Sequence, residues 1–229
     1  RCHRMNLFAE AGQFLTDPAN WTGATGIPQR MLEHVGYSLL TMVIALVIAV
    51  PLGLWVGHSG RGGGVVVGLA GSLRSLPTLG LLTLFTLLMG LGLMPPILAL
   101  VLLAIPPILS GTYSGIAAVS PALVDAARAM GMTESQTLFR VEVPVALPVI
   151  LGGIRNAALQ VLATVTIVAY INLGGLGRYL IDGLAVRDYS RMLASVVLVA
   201  VLALAADAVL ALTQRLVTSP GLRLTGDRP

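Results

Sequence analysis

Apolar and polar positions in this chain come in blocks rather than at the period of an amphipathic helix or a half-buried strand. Crossing a bilayer as a helix takes about 20 mostly apolar residues, because hydrocarbon offers an unpaired backbone group no partner. Five blocks meet that length, at about 37–57, 65–93, 95–118, 145–170 and 193–216. Pro51 predicts a kink near one end of the first. The second is long for one span and holds Arg74 and Pro77, so it reads as one kinked helix or as two pieces meeting at Pro77. The third opens on Pro95 and Pro96 and holds Pro106 and Pro107, which membrane helices tolerate where neighbours satisfy the freed carbonyls. Five spans put the two termini on opposite sides.

Between the third and fourth spans, "DAARAMGMTESQTLFRVEVP" at 125–144 interrupts the apolar pattern with a polar, helix-forming stretch. Ser120 before Pro121 is a start signal, since a serine side chain caps free amides and proline at the first helical position loses nothing. Residues 121–130 are expected to form a short helix that Gly131 ends in a left-handed conformation. Thr133 and Gln136 match a capping box that opens a second short helix. Ala126 and Ala127 leave one face of the first helix without bulk, so it suits a groove on another protein. Pro144 stiffens the way into the fourth span, so a push on this loop is expected to move the span. A short amphipathic interfacial loop with no partner fits the same residues.

Composition then fixes the solvent. Only 10% of the 229 residues are charged and 56% are hydrophobic, with a mean hydropathy of +0.89. A soluble domain carries roughly 25% charged residues, so the expected fold is an all-α membrane protein. All fourteen basic residues are arginine, which excludes every lysine-dependent site. The single cysteine, Cys2, and the scattered His3, His34 and His58 provide no multi-cysteine or histidine metal site, and the histidines read as ordinary solvated or interfacial residues. The net charge of +4 is spread singly between apolar runs. It therefore points to lipid head groups rather than to nucleic acid.

The first 36 residues hold no run long enough to span and no signal-peptide pattern, and "TDPANWTGATGIP" is turn-rich. With no internal repeat, residues 1–229 read as one transmembrane domain, in which 1–36 is extracytoplasmic, 119–144 is a cytoplasmic loop and 217–229 is a cytoplasmic tail. The flanking arginines tie: Arg61, Arg128, Arg140, Arg215, Arg223 and Arg228 lie inside on this orientation, and Arg1, Arg4, Arg30, Arg178, Arg187 and Arg191 outside. Only Arg74 and Arg155, toward the cytoplasmic ends of their spans, tip the positive-inside rule this way.

Charges inside spans are functional candidates. Arg74, Arg155 and Asp207 lie at a similar depth, roughly 14 to 15 Å from the cytoplasmic ends at about 1.5 Å per residue. Asp207 is expected to pair with Arg155 or Arg74; the alternative is that each arginine snorkels or faces the aqueous pathway by itself. Gly152 and Gly153 suit close helix contact.

"DAA" at 125–127, three residues, Gly131, nine residues and "VEVP" at 141–144 resemble the coupling-loop signature of bacterial ABC importer permeases. Asp125, Val141 and Val143 stand where that signature has Glu, Ile and Leu. Together with "TDPANW", "GHSGRG", "SLPTLGLL", "RVEVPVALPVILGGIR" and "GGLGRYLIDG", nearly the whole chain resembles permeases of the osmoprotectant class, importers of glycine betaine, choline, carnitine or proline betaine. The resemblance implies a bacterial inner-membrane, multi-pass subunit with a coupling helix between spans three and four. It implies three kinds of partner: a cytoplasmic ATPase dimer, a second permease chain, identical or paralogous, and an extracytoplasmic solute-binding protein. ATP and Mg would be bound by the ATPase, leaving this chain without cofactor, metal or catalytic residue. Asp125, Ala126, Ala127, Gly131, Val141 and Pro144 would touch the ATPase. Ser75, Pro77 and Thr78 are pathway candidates, and "GGLG" at 174–177 is a candidate outer rim, although turn formation explains both stretches as well.

The alternatives are an autonomous ion-coupled carrier, an ABC permease for another small solute such as an amino acid, and a membrane-embedded enzyme. Lack of an internal repeat speaks against the carrier, and lack of paired carboxylates or clustered histidines within spans against the enzyme. With 5% aromatic residues the chain is poorly equipped for a quaternary-ammonium cage, so selectivity is expected to reside in the external binding protein.

Overall fold

A computed structural model describes residues 7–217, without the Arg74 side chain. Among the described residues every regular element is helical. α1 (Leu7–Thr16) and a 3-10 turn (Pro18–Trp21) precede α2 (Ile27–Ser59), followed by α3 (Gly63–Arg74), α4 (Thr78–Met89), α5 (Met94–Ala117), α6 (Pro121–Ala129) and α7 (Glu134–Thr137). A π turn (Leu138–Glu142) leads into α8 (Val143–Thr164), then a 3-10 segment (Val165–Ile171), α9 (Gly177–Val186) and α10 (Tyr189–Val217). Four stretches are long and apolar enough to cross a membrane: α2, α5, Glu134–Ile171 and α10. The broken pair of α3 and α4 makes a fifth if it counts as one span. Of the two readings of the second apolar block, the two-piece one holds: α3 ends at Arg74 and α4 starts after Pro77.

The N-terminal stretch is more ordered than its turn-rich composition suggests. Asp17 accepts a hydrogen bond from the Ala19 amide at 2.9 Å and caps the turn that Pro18 opens. α2 begins at Ile27 rather than near residue 37. Gln29, Arg30, Glu33 and His34 lower the hydropathy there, yet polar side chains do not interrupt a helical backbone once they find partners. Glu33 accepts from Arg30 at 3.0 Å and from the Gly175 amide at 2.8 Å, and His34 Nε2 lies 2.9 Å from the Leu162 carbonyl.

Backbone contacts divide the chain into two compact units. The first takes the chain through Thr41, then Pro77–Leu100 and Leu159–Ala206. Its core is Ile27, Leu176, Tyr179 and Leu198, with Phe14 set edge-on to Tyr179 at 5.5 Å. The Tyr179 hydroxyl donates to the Thr25 carbonyl at 2.6 Å, which spares a buried polar tip its desolvation cost. The candidate rim belongs to this unit, and Gly175, at φ +88, turns its amide onto Glu33.

The second unit takes Met42–Leu76, Val101–Ala158 and the chain from Asp207 onward. Its α5 and α8 cross at Gly111 and Gly153, where a Cβ on Gly111 would lie 2.8 Å from the Gly153 Cα. Only glycine on both sides lets two backbones approach so closely. Gly152 has nothing within 4 Å of its Cβ position, so of the expected pair only Gly153 makes the contact.

Candidate functional site

The loop between α5 and α8 is built from local signals. Pro121 opens α6, but the Ser120 hydroxyl makes no capping hydrogen bond, contrary to the sequence expectation. The Ser120 carbonyl instead takes the Leu123 amide at 3.0 Å. Pro121, Ala122 and Leu123 are exposed, so water can satisfy the amides that the hydroxyl leaves free. At the far end Gly131 adopts φ +83; its amide donates to the Arg128 carbonyl and the Met132 amide to that of Ala127. That is a Schellman ending, and it turns the chain sharply with no Cβ penalty. The capping box of Thr133 and Gln136 is present in both directions, at 3.4 and 3.0 Å.

Pro144 cannot donate to the carbonyl four residues back and its ring crowds that oxygen. The helical ladder opens just before it into the π turn, in which the Val143 amide donates to Leu138. This turn directs Glu142 inward, to 5% exposure, in an otherwise apolar run. Val124, Leu138 and Val143 pack against Ile116, Val119, Ala146 and Ile150, so the loop shares a hydrophobic foot with the ends of α5 and α8.

The charges of α6 and α7 are paired in a fork. Arg128 Nε and Nη2 donate to the two Glu134 carboxylate oxygens at 3.1 and 3.0 Å, and Asp125 lies 3.9 Å from the same guanidinium. The hydrogen bonds to Glu134 hold the Arg128 guanidinium above its ordinary range. His58, at the end of α2, lies with Nδ1 2.7 Å from Glu142 and Nε2 3.2 Å from Glu134.

A second fork lies within spans. Arg155 on α8 donates from Nε and Nη2 to Asp207 on α10 at 2.6 and 2.7 Å. Gln214, further along α10, donates to the Pro148 carbonyl at 2.9 Å.

Residues 49–219 match the family described as "Binding-protein-dependent transport system inner membrane component". The chain belongs to this family. It is 37% identical over 191 residues to the glycine betaine/carnitine/choline transport system permease protein of Bacillus subtilis strain 168, covering 83% of this chain and 88% of that one. It is 35% identical over 194 residues to the choline transport system permease protein of the same organism, covering 85% and 89%. The fold resembles an inward-facing form of the MetNI methionine ABC transporter, with a TM-score of 0.74 at 22% identity over 89% of this chain and 100% of that one. The protein is thus a multi-pass inner-membrane permease, a transport subunit.

Within this permease, the structure brings together Arg155 and Asp207 of the three intramembrane candidates, while the Arg74 side chain lies outside the described residues. Of the loop positions, Asp125, Ala126, Gly131 and Pro144 are exposed and Val141 is half-buried. Ala127 is 2% exposed, covered by the chain itself, so its small side chain serves the seating of α6 within the protein. Ser75, Pro77 and Thr78 form the break between α3 and α4; Ser75 donates to the Ser72 carbonyl at 2.7 Å and Pro77 precedes the first turn of α4. Cys2, His3 and the tail after residue 217 lie outside the described residues.

Sequence reasoning treated His58 and His34 as ordinary solvated or interfacial residues, whereas His34 is fully buried and His58 bridges two carboxylates. A signal for His58 existed. Glu142 stands alone between Val141 and Val143, and a carboxylate on an apolar face needs a cation from elsewhere.

Proposed function

We propose that this permease imports small quaternary-ammonium osmoprotectants, such as glycine betaine, choline, carnitine or proline betaine, and that residues 119–144 are its cytoplasmic coupling loop. The substrate class rests on the relatives, which are named for glycine betaine, carnitine and choline and match this chain over most of their length. The loop carries the mechanical part. It is an exposed element braced by its own fork, Schellman ending and capping box, and footed on the ends of two membrane helices. A rigid elbow of this kind transmits a displacement where a flexible one would absorb it.

In this reading a separate ATPase dimer binds ATP and Mg and seats the loop through Asp125, Ala126 and Gly131, with Ala127, Val141 and Pro144 setting its shape. A second permease chain, identical or paralogous, completes the solute pathway, to which Ser75, Pro77 and Thr78 contribute through the α3–α4 break. An extracytoplasmic binding protein delivers the solute.

Detergent extraction and affinity capture test this. The wild-type permease is expected to bring down an ATPase, and Ala126→Trp, at an exposed position, to insert normally and bring down none. Ala127→Trp is the poorer probe because that site is filled by the chain itself. Capture that Ala126→Trp leaves undiminished would overturn the docking surface.

A further inference from the structure

His58 joins the loop to a helix with which the loop is not contiguous. Four polar side chains run in one line, Arg128 on α6, Glu134 on α7, His58 at the end of α2 and Glu142 in the π turn, with spacings of 3.0, 3.2 and 2.7 Å. Both ring nitrogens of His58 face carboxylate oxygens. Both contacts are hydrogen bonds only when the ring carries two protons, since a neutral imidazole has one donor. The ring thus bridges the carboxylates of α7 and of the π turn.

The backbone next to His58 has no slack. A Cβ on Gly57 would lie 2.7 Å from the Ile116 Cβ, and one on Gly53 the same distance from the Thr112 Cβ. α2 is therefore pressed onto α5 over the turn that ends in His58. Ile116 also belongs to the hydrophobic foot under the loop. The loop is continuous with both α5 and α8, and its foot also takes in Leu54 of α2; to these contacts His58 adds a polar tie to α2.

We propose that His58 is a positioning residue for transport: it carries displacement of the coupling loop to α2, so that α2 moves with α5 and α8 when the ATPases close. The proposal rests on the docking reading above. It adds that α2 is driven through the side-chain bridge at His58 as well as through its packing on α5. Truncating His58 leaves Glu134 and Glu142 facing a gap, and α2 then follows the loop only through its packing on α5 and the contact of Leu54 with the hydrophobic foot.

The test uses the complete transporter, permease with ATPase and binding protein, reconstituted in proteoliposomes, with whichever of glycine betaine, choline or carnitine the wild type accumulates. His58→Ala and the isosteric Glu142→Gln are expected to capture the ATPase and hydrolyse ATP as the wild type does. Solute moved per ATP is expected to fall roughly tenfold, within the usual range of coupling between sites. His58→Arg offers donors to both carboxylates and is expected to recover most of that ratio. An unchanged ratio in His58→Ala overturns the proposal, as does a His58→Arg no better than alanine. Loss of ATPase capture in His58→Ala also overturns it, by assigning the residue to docking or folding. A wild-type chain that captures no ATPase sinks the docking reading itself, and this one with it.

Discussion

Two guanidinium forks in this chain share a geometry and differ in their surroundings. Arg128 and Glu134 meet at 3.0 to 3.1 Å on an exposed loop, and Arg155 and Asp207 meet at 2.6 to 2.7 Å between two apolar helices. On the loop, water solvates either partner once the other is gone, so the fork competes with a good alternative. Between α8 and α10 the side chains are 35% and 30% exposed, but they lie within spans, where a lone ion is costly. The energy of such a pair is thus set by what each ion would face without the other, and not by the shape of the fork.

The largest effect expected from that contrast is at Asp207. Replacing it by leucine leaves Arg155 charged and unpartnered inside the spans, and the yield of monodisperse permease in detergent should fall roughly tenfold. The double variant Arg155→Leu with Asp207→Leu removes both ions and should recover most of the yield, because apolar side chains suit that site. Equal losses in the single and double variants would mean that the pair holds the helices together by direct attraction, and the contrast with the loop would fail. Gly153→Leu sharpens the same point without any charge. It forces α8 off α5 at the Gly111 crossing, and overpacking of this kind costs about 1 to 3 kcal/mol. A thermal-shift assay on purified protein should show the loss, with the ion pair intact.

A third carboxylate tests whether a cation is needed at all outside the bilayer. Asp188 precedes α10 and accepts from the Ser190 hydroxyl at 2.6 Å and the Arg191 amide at 3.0 Å, acting as an N-cap. Those hydrogen bonds, the hydroxyl's first, hold its carboxyl below the ordinary aspartate range. A depressed folded-state value means that the ionised form stabilises the fold above the unfolded value, and that the benefit is lost as pH falls through the folded one. Asp188→Ala should cost about 1 kcal/mol at neutral pH. The gap in melting temperature from the wild type should close as the pH is taken below the aspartate range. A gap independent of pH would show that Asp188 acts through shape and not through charge.

Legibility in the sequence followed the reach of each signal. The membrane class, the break at Pro77, the elbow at Gly131 and the capping box rest on residues adjacent in the chain, and each is present. The Arg155–Asp207 pair was legible as a shared depth, because in hydrocarbon two opposite charges at one level have few other partners. The missed features depend on contacts distant in sequence. α2 starts at Ile27 because Glu33 and His34 find Gly175 and Leu162, and no local pattern announces partners so remote. Ala127 reads as a smooth outer face until the fold turns it inward. His58 looks like an ordinary solvated or interfacial residue until Glu142, 84 residues away, is set beside it.

The smallest effect should be at the loop fork, and its smallness is informative. Arg128→Gln removes the guanidinium from Glu134 at a position open to water, so the melting temperature in detergent should barely move. Whatever contribution exists should shrink as salt is raised toward about 1 M, where the Debye length falls to roughly 3 Å, the separation within the fork. The response of the Asp207→Leu single variant should follow salt less, since Arg155 and Asp207 are less exposed, at 35% and 30%, than Arg128 and Glu134, at 46% and 63%. Should Arg128→Gln instead destabilise the permease as severely as Asp207→Leu does, the loop fork would have to be shielded from water in the folded protein. The contrast between the two forks would then lose its basis, and the braced elbow would owe its rigidity to the ion pair more than to Gly131, the capping box and the hydrophobic foot.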